Sequence, residues 1–215
     1  MINLIHGDCV ELMRDMDDNS FDLAVVDPPY GINIVSSMKK DNKSSSMYSH
    51  SWTQDDDDDV EWDSAIPSSE YFEQLQRVSK HQIIWGGNYF IDHLSNTKCF
   101  LIWDKNNGTN PMSDCELAWT SFDKPVRKFT MHHFNSGYGT KIHPTQKPIK
   151  LYEWIFDLFV QEGWTILDTH LGSGSIAIAA HNMRLHLTGI EINQKYFQRA
   201  SQRLTDHQRQ LSFPW

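Results

Sequence analysis

Apolar residues along this 215-residue chain follow two alternating patterns. Short apolar runs bounded by turn residues read as strands: 2–6 (INLIH), 22–26 (DLAVV), 82–86 (QIIWG), 99–103 (CFLIW), 116–120 (ELAWT), 127–134 (RKFTMHHF), 165–168 (TILD) and 187–191 (LTGIE). Segments of helical period lie between several of them. The clearest starts at Pro148, a favourable first helical residue, and carries Leu151, Trp154, Ile155, Leu158 and Phe159 on one stripe that ends near Gly163. Further helices are expected to begin near Asp8, Ser69, Gly174 and Asn193. Strands alternating with helices predict an α/β fold: a mixed, mostly parallel sheet of seven to eight strands with helices on both faces. Residues 31–66 break the pattern. They are rich in Ser, Lys and Asp, have no periodicity and exceed an ordinary connection, so they are expected to form a mobile functional loop on a single domain spanning 1–215.

Composition narrows the class without changing this picture. The chain is 39% hydrophobic and 12% aromatic, and no run approaches the roughly 18 apolar residues of a membrane span. The N-terminal MINLIHGDCVELM lacks the basic start and apolar core of a secretion signal. Cys9, Cys99 and Cys115 are odd in number and widely spaced, which suits reduced thiols in a cytoplasmic setting and offers no metal-ligand spacing. Charge is segregated. Residues 55–63 (DDDDDVEWD) carry −7 of the net −9, whereas 121–150 hold six Lys and Arg against Asp123 alone. The acidic run lacks the spaced ligands and turn glycine of a calcium loop and reads as a solvated charge run. A basic stretch of this kind can meet a polyanion even in an acidic protein.

Candidate chemistry concentrates at two strand ends. The sequence DTHLGSGS, 168–175, follows one strand and opens a helix, and its Gly172-x-Gly174 spacing leaves backbone amides over the strand ends. A third glycine, usual for a pyrophosphate, is replaced by Ala177, which favours an adenosine-type cofactor over a dinucleotide. Glu191, at the tip of the next strand, is placed to accept from ribose hydroxyls. The second strand end is Asp27-Pro28-Pro29-Tyr30. Two prolines stop the strand, and the turn offers acceptors, the Asp27 carboxylate and the Pro28 carbonyl, beside an aromatic face. An acceptor-lined mouth suits an exocyclic amine, with a base stacked on Tyr30.

These motifs resemble the amino-methyltransferases that move a methyl group from S-adenosylmethionine to an exocyclic nitrogen of adenine or cytosine in DNA. The catalytic tetrad is matched by Asp27, Pro28, Pro29 and Tyr30, the glycine motif by His170, Gly172 and Gly174, and the ribose acid by Glu191. The tetrad precedes the glycines, as in the permuted beta class, and GDC (7–9), IWGGNYF (84–90) and HPTQKP (143–148) agree with it. Thr169 and His170 stand where Pro and Phe are more usual. The resemblance implies a Rossmann-like class I methyltransferase fold. It further implies a cofactor site of Asp8, Cys9, Lys147, Asp168, His170, Gly172, Ser173, Gly174, Ser175 and Glu191, with Asp8 accepting from the cofactor's adenine amine and Lys147 pairing with its carboxylate.

Such a reaction acts on a base swung out of the duplex, with Tyr30, Trp85 or Tyr89 as stacking surfaces. Phosphate contacts are expected from Lys39, Lys40 and Lys43 and from Lys124, Arg127, Lys128 and Lys141. Adenine N6 is preferred to cytosine N4 because beta-class cytosine enzymes more often carry Ser where Asp27 stands. A non-catalytic cofactor-binding subunit would be expected to have a spoiled tetrad, and this one is intact. No metal is needed. Only 104–142 is available for reading the target, so recognition is expected to be short or lax, or assisted by 31–66 or a second subunit of a homodimer.

Overall fold

The computed structural model of the chain describes residues 1–33, 63–108, 113–132, 142–143 and 145–210. Most of the expected loop, with Lys39, Lys40 and Lys43, and also Lys141, lies outside the described residues. Eight strands form one sheet: β1 (Ile2–His6), β2 (Phe21–Val26), β3 (Ser79–Trp85), β4 (Phe100–Asp104), β5 (Cys115–Thr120), β6 (Arg127–Thr130), β7 (Thr165–Asp168) and β8 (His186–Glu191). The helices are α1 (Cys9–Arg14), α2 (Ser69–Val78), α3 (Ile149–Phe159), α4 (Ser175–Asn182) and α5 (Gln194–Gln210). Each expected strand is present, but 127–134 is strand only to Thr130, and Pro148 caps α3 instead of opening it.

The spatial order is β1-β8-β7-β2-β3-β5-β4-β6. From β1 to β3 every neighbour is parallel, whereas β5 runs antiparallel to both β3 and β4, and β6 pairs parallel with β4. Central strands are apolar at successive positions because both faces are covered. In β2, Leu23 and Val25 pack with α3, α4 and α5, while Ala24 and Val26 pack with Met13 of α1 and Tyr71, Phe72 and Leu75 of α2. The period-two alternation thus sends adjacent residues into two separate cores.

This layering fixes where chemistry can occur. The chain leaves β2 toward α2 on one face and leaves β7, its sheet neighbour, toward α4 on the other. A crevice opens beyond the carboxyl ends of such strands, at the topological switch point. Asp27 and Asp168 stand at that point.

One close approach holds the third strand end. Beyond β3, Gly86 adopts φ +72° and Gly87 begins a 3-10 turn through Tyr89. A Cβ on Gly87 would fall 2.5 Å from the Trp119 Cβ and 2.9 Å from its backbone N. Gly87→Ala is therefore expected to destabilise the fold by about 1–3 kcal/mol, read as a lower urea midpoint with an unchanged slope.

Candidate active site

Asp27 follows the last residue of β2, and the two prolines after it turn the chain along the sheet edge. Its carboxylate is held on both oxygens: Tyr30 Oη donates to Oδ1 at 2.6 Å, and the Lys147 ammonium lies 2.5 Å from Oδ2. The turn is pinned from outside by Asp63, whose Oδ1 accepts from the backbone N–H of Tyr30 at 2.7 Å and of Gly31 at 3.0 Å. Asp63 ends the acidic run and is buried, so this residue is a structural clamp and not part of a solvated charge run. Nothing in the run's composition distinguishes it from its neighbours.

Lys147 lines the cleft as expected, but two carboxylates of the chain already engage its ammonium. Its side chain is 2% exposed and its ammonium also lies 3.0 Å from Glu116 Oε2, an ion pair without hydrogen-bond geometry. Glu116 in turn meets Lys105 at 2.8 Å. The Trp85 ring lies 5.2 Å and the Tyr30 ring 5.8 Å from the Lys147 ammonium. A lysine so committed to Asp27 and Glu116 is not a free partner for a cofactor carboxylate. Burial works against ionising Glu116, yet Lys147 and Lys105 outweigh it and hold its carboxyl down at about 2. Burial likewise works against the ammonium, and the two carboxylates overcome it and raise the Lys147 pKa. Glu116 carried no motif signal; its position at the start of an antiparallel strand is what brings it here.

The cofactor-type residues gather on the other side of the same cleft. Asp27, Pro29, His143, Lys147, His170, Gly172, Ser173 and Glu191 all line an open space of about 460 Å³. Gly172, at φ +50°, presents only backbone, and its N–H donates to Glu191 Oε2 at 2.7 Å. Glu191 Oε1 accepts from Asn193 N–H at 2.9 Å, which locks the carboxylate at the tip of β8. Gly174 caps α4 at φ +70°, where a side chain would press on Ala200 of α5. Ser173 and Ser175 share a hydrogen bond at 3.1 Å, and Arg203 of α5 donates to Ser173 O at 2.8 Å and Ser175 Oγ at 3.0 Å. Arg203, buttressing the glycine turn from 28 residues downstream of Ser175, had no sequence signal.

The unusual Thr169 and His170 have a packing reason. Tyr71 Oη and Thr169 Oγ1 are 2.8 Å apart, Thr169 Oγ1 and His170 Nδ1 are 2.9 Å apart, and the Tyr71 and His170 rings meet edge to face at 5.3 Å. Burial pushes His170 down to about 4, so it is a neutral imidazole at neutral pH. Asp8 caps α1, its Oδ1 accepting from Val10 N–H at 2.7 Å and Glu11 N–H at 3.2 Å. Cys9 beside it is pushed up to about 12 by burial and by Asp8, an inert thiol.

Three nucleic-acid expectations are corrected. Trp85 is fully buried in the core and cannot stack on a base. Lys124 donates to Leu158 O and lies over Phe159, at the far end of α3 from Pro148. Arg127 pairs in register with Leu101 at the start of β4, so it too sits on the sheet edge opposite Asp27. Of the phosphate contacts expected among the described residues, Lys128 leans toward the catalytic edge, through its ion pair with Asp104 at 3.0 Å. Tyr89 stays at the mouth, half exposed and stacked on Tyr30 at 5.0 Å and 16°.

The switch-point cleft and the strand order define a class I methyltransferase fold. A family model described as DNA methylase matches residues 103–202. Across 94% of its length the chain is 24% identical to the type II methyltransferase M.HpaI of Haemophilus parainfluenzae, covering 73% of that protein. The M1.HpyAVI–SAM complex matches with a TM-score of 0.62 at 20% identity, over 94% of this chain and 100% of that one. The cytosine-N4-specific PvuII DNA methyltransferase matches with a TM-score of 0.60 at 12% identity, over 98% and 92% of the two chains. Over residues 103–202 the chain is thus similar to the DNA methylases that the family model describes, and the tetrad precedes the glycine turn, an order that resembles the beta class.

Asp168 gives this site a pH signature. Burial, with Asp27 and Glu191 adding, pushes its carboxyl up to about 8. The native fold then holds a proton that the unfolded chain releases above roughly pH 4. Native stability from this group is full below that pH and falls as pH rises to about 8. Asp168→Asn keeps the Oδ1 acceptor used by His170 N–H and has no proton to lose. Urea unfolding across this window is expected to show the variant gaining on the wild type as pH rises; a constant difference would rule the assignment out.

Proposed function

We propose that this protein transfers the methyl group of S-adenosylmethionine to the exocyclic N6 of an adenine swung out of DNA. The observation that carries the reading is the Asp27 turn facing the same cleft as Gly172, Ser173 and Glu191. The cleft residues fit an adenosine-type group: Glu191 is a buried acceptor whose remaining lone pairs suit ribose hydroxyls, and Gly172 adds no side chain where such a group would lie. When bound, that cofactor supplies an electrophilic methyl group on a sulfonium.

The chain's own residues then have two tasks. The first is to aim the amine nitrogen. A carboxylate offers about four lone-pair sites, and Tyr30 and Lys147 use two of those on Asp27, so acceptor capacity remains for the amine hydrogens. The second is to stabilise the positive charge that grows on nitrogen as it takes the methyl, which fixed negative groups in a buried site do well. Tyr89 lies on the Tyr30 ring at the mouth, so an incoming base meets an aromatic surface there. The adenine reading rests on Asp27 at the first tetrad position. DNA phosphates are assigned to groups on the catalytic edge, with Lys128 the candidate that remains among the described residues. A homodimer that supplies further contacts is compatible with the short span available for reading a target sequence.

Purified protein, plasmid DNA and S-adenosylmethionine carrying a labelled methyl group test this directly. Label is expected in N6-methyladenine on nucleoside hydrolysis, and Asp27→Ala is expected to lower the rate by about 100-fold or more. Label in N4-methylcytosine instead would reassign the base, and full activity in the variant would refute the role of Asp27.

A further inference from the structure

Five polar groups form one chain across the site: Lys105, Glu116, Lys147, Asp27 and Tyr30. Successive contacts are 2.8, 3.0, 2.5 and 2.6 Å. Three come from separate parts of the fold. Asp27 belongs to the turn after β2, Glu116 to the antiparallel β5, and Lys147 to the segment that leads into α3. Together, Asp27, Lys147 and Glu116 put two carboxylates around one buried ammonium.

A lone ammonium against Asp27 would oppose the reaction proposed above. The attacked nitrogen becomes positive, and a neutral Asp27–Lys147 pair would attract that charge weakly. We propose that Lys147 and Glu116 are positioning residues for Asp27: Lys147 fixes the carboxylate's orientation, and Glu116 offsets the positive charge that Lys147 sets beside it, the balancing Lys105 lying further out. This inference rests on the methyl-transfer reading and deepens it. Lys105 lies at the outer end, itself mostly buried, and is attached to Glu116, one residue further from the amine.

Asp27 is faced by Lys147 from the α3 lead-in, Glu116 from β5, Tyr30 from its own turn, Tyr152 from α3 and Asp168 from β7. Burial raises the Asp27 pKa, Lys147 opposes that rise and Glu116 adds to it. The two neighbours therefore act with opposite sign. Removing the Lys147 charge should make Asp27 harder to ionise, and removing the Glu116 charge should make it easier.

The test uses Lys147→Met and Glu116→Gln in the full chain, with kcat and KM for plasmid DNA followed against pH. In parallel, the Asp27 carboxyl carbon is titrated by NMR in aspartate-labelled protein, assigned with Asp27→Asn. Each variant is expected to lose about ten- to a hundredfold in kcat with KM for DNA little changed. The acid limb of kcat and the carbon titration should move to higher pH in Lys147→Met and to lower pH in Glu116→Gln. Shifts of the same sign in both, or activity loss with neither profile moved, overturn the inference and leave a structural role only. If the methionine variant does not fold, Glu116→Gln decides alone: a downward shift supports the proposal and no shift overturns it. Wild-type protein that methylates no DNA refutes the function proposed above, while the carbon titration still decides the coupling.

Discussion

A single buried ammonium organises this site. Taking Lys147 out of water is unfavourable unless its charge is matched by good geometry, because desolvation of an isolated cation costs several kcal/mol. Here two carboxylates supply the match, and the rings of Trp85 and Tyr30 lie close enough to add cation–π attraction. Removing either carboxylate would leave a charge in a pocket with too few partners. The arrangement therefore links three chain segments at the point where the sheet's connections diverge.

The same constraint explains the shape of the Asp27 turn. Pro28 and Pro29 remove two backbone donors that would otherwise compete for nearby acceptors, and they prevent the chain from continuing as a strand. The donors that do reach the carboxylate are side chains, Tyr30 Oη and Lys147 Nζ, each with its own lock. Tyr30 is held by Asp63 through its backbone and lies so close to Gly86 that a Cβ there would overlap its ring. The positive φ of Gly86 and its missing side chain are thus two expressions of one requirement, room for Tyr30 at the end of β3.

The parallel half of the fold was legible because its signals are local. The apolar runs at β2 and β7, the Gly172-x-Gly174 turn and the acid at the tip of β8 each sit within one element, and the two-faced burial of β2 follows from its unbroken apolar pattern. What could not be read is what crosses the fold. Lys147 was expected to serve the cofactor since its motif says nothing of Glu116, which reaches it only through the pairing of β5 with β3 and β4. Trp85 was expected as a stacking surface for a swung-out base, yet strand alternation sends it inward with Ile83. Lys124 and Arg127 read as phosphate contacts from charge density, but strand direction puts them at the wrong edge. Asp63 was hidden at the end of an acidic run.

The antiparallel extension is accordingly part of the chemistry and not an ornament on a parallel core. β5 runs against β3, so its first residues, not its last, arrive at the catalytic edge, and this is how Glu116 comes to stand across from Asp27. A parallel strand in that place would deliver its final residues there and send Glu116 to the opposite edge. The direction of one strand thus decides whether the lysine beside Asp27 neutralises it or is itself balanced, and hence whether the mouth of the cleft attracts a nitrogen that is becoming positive.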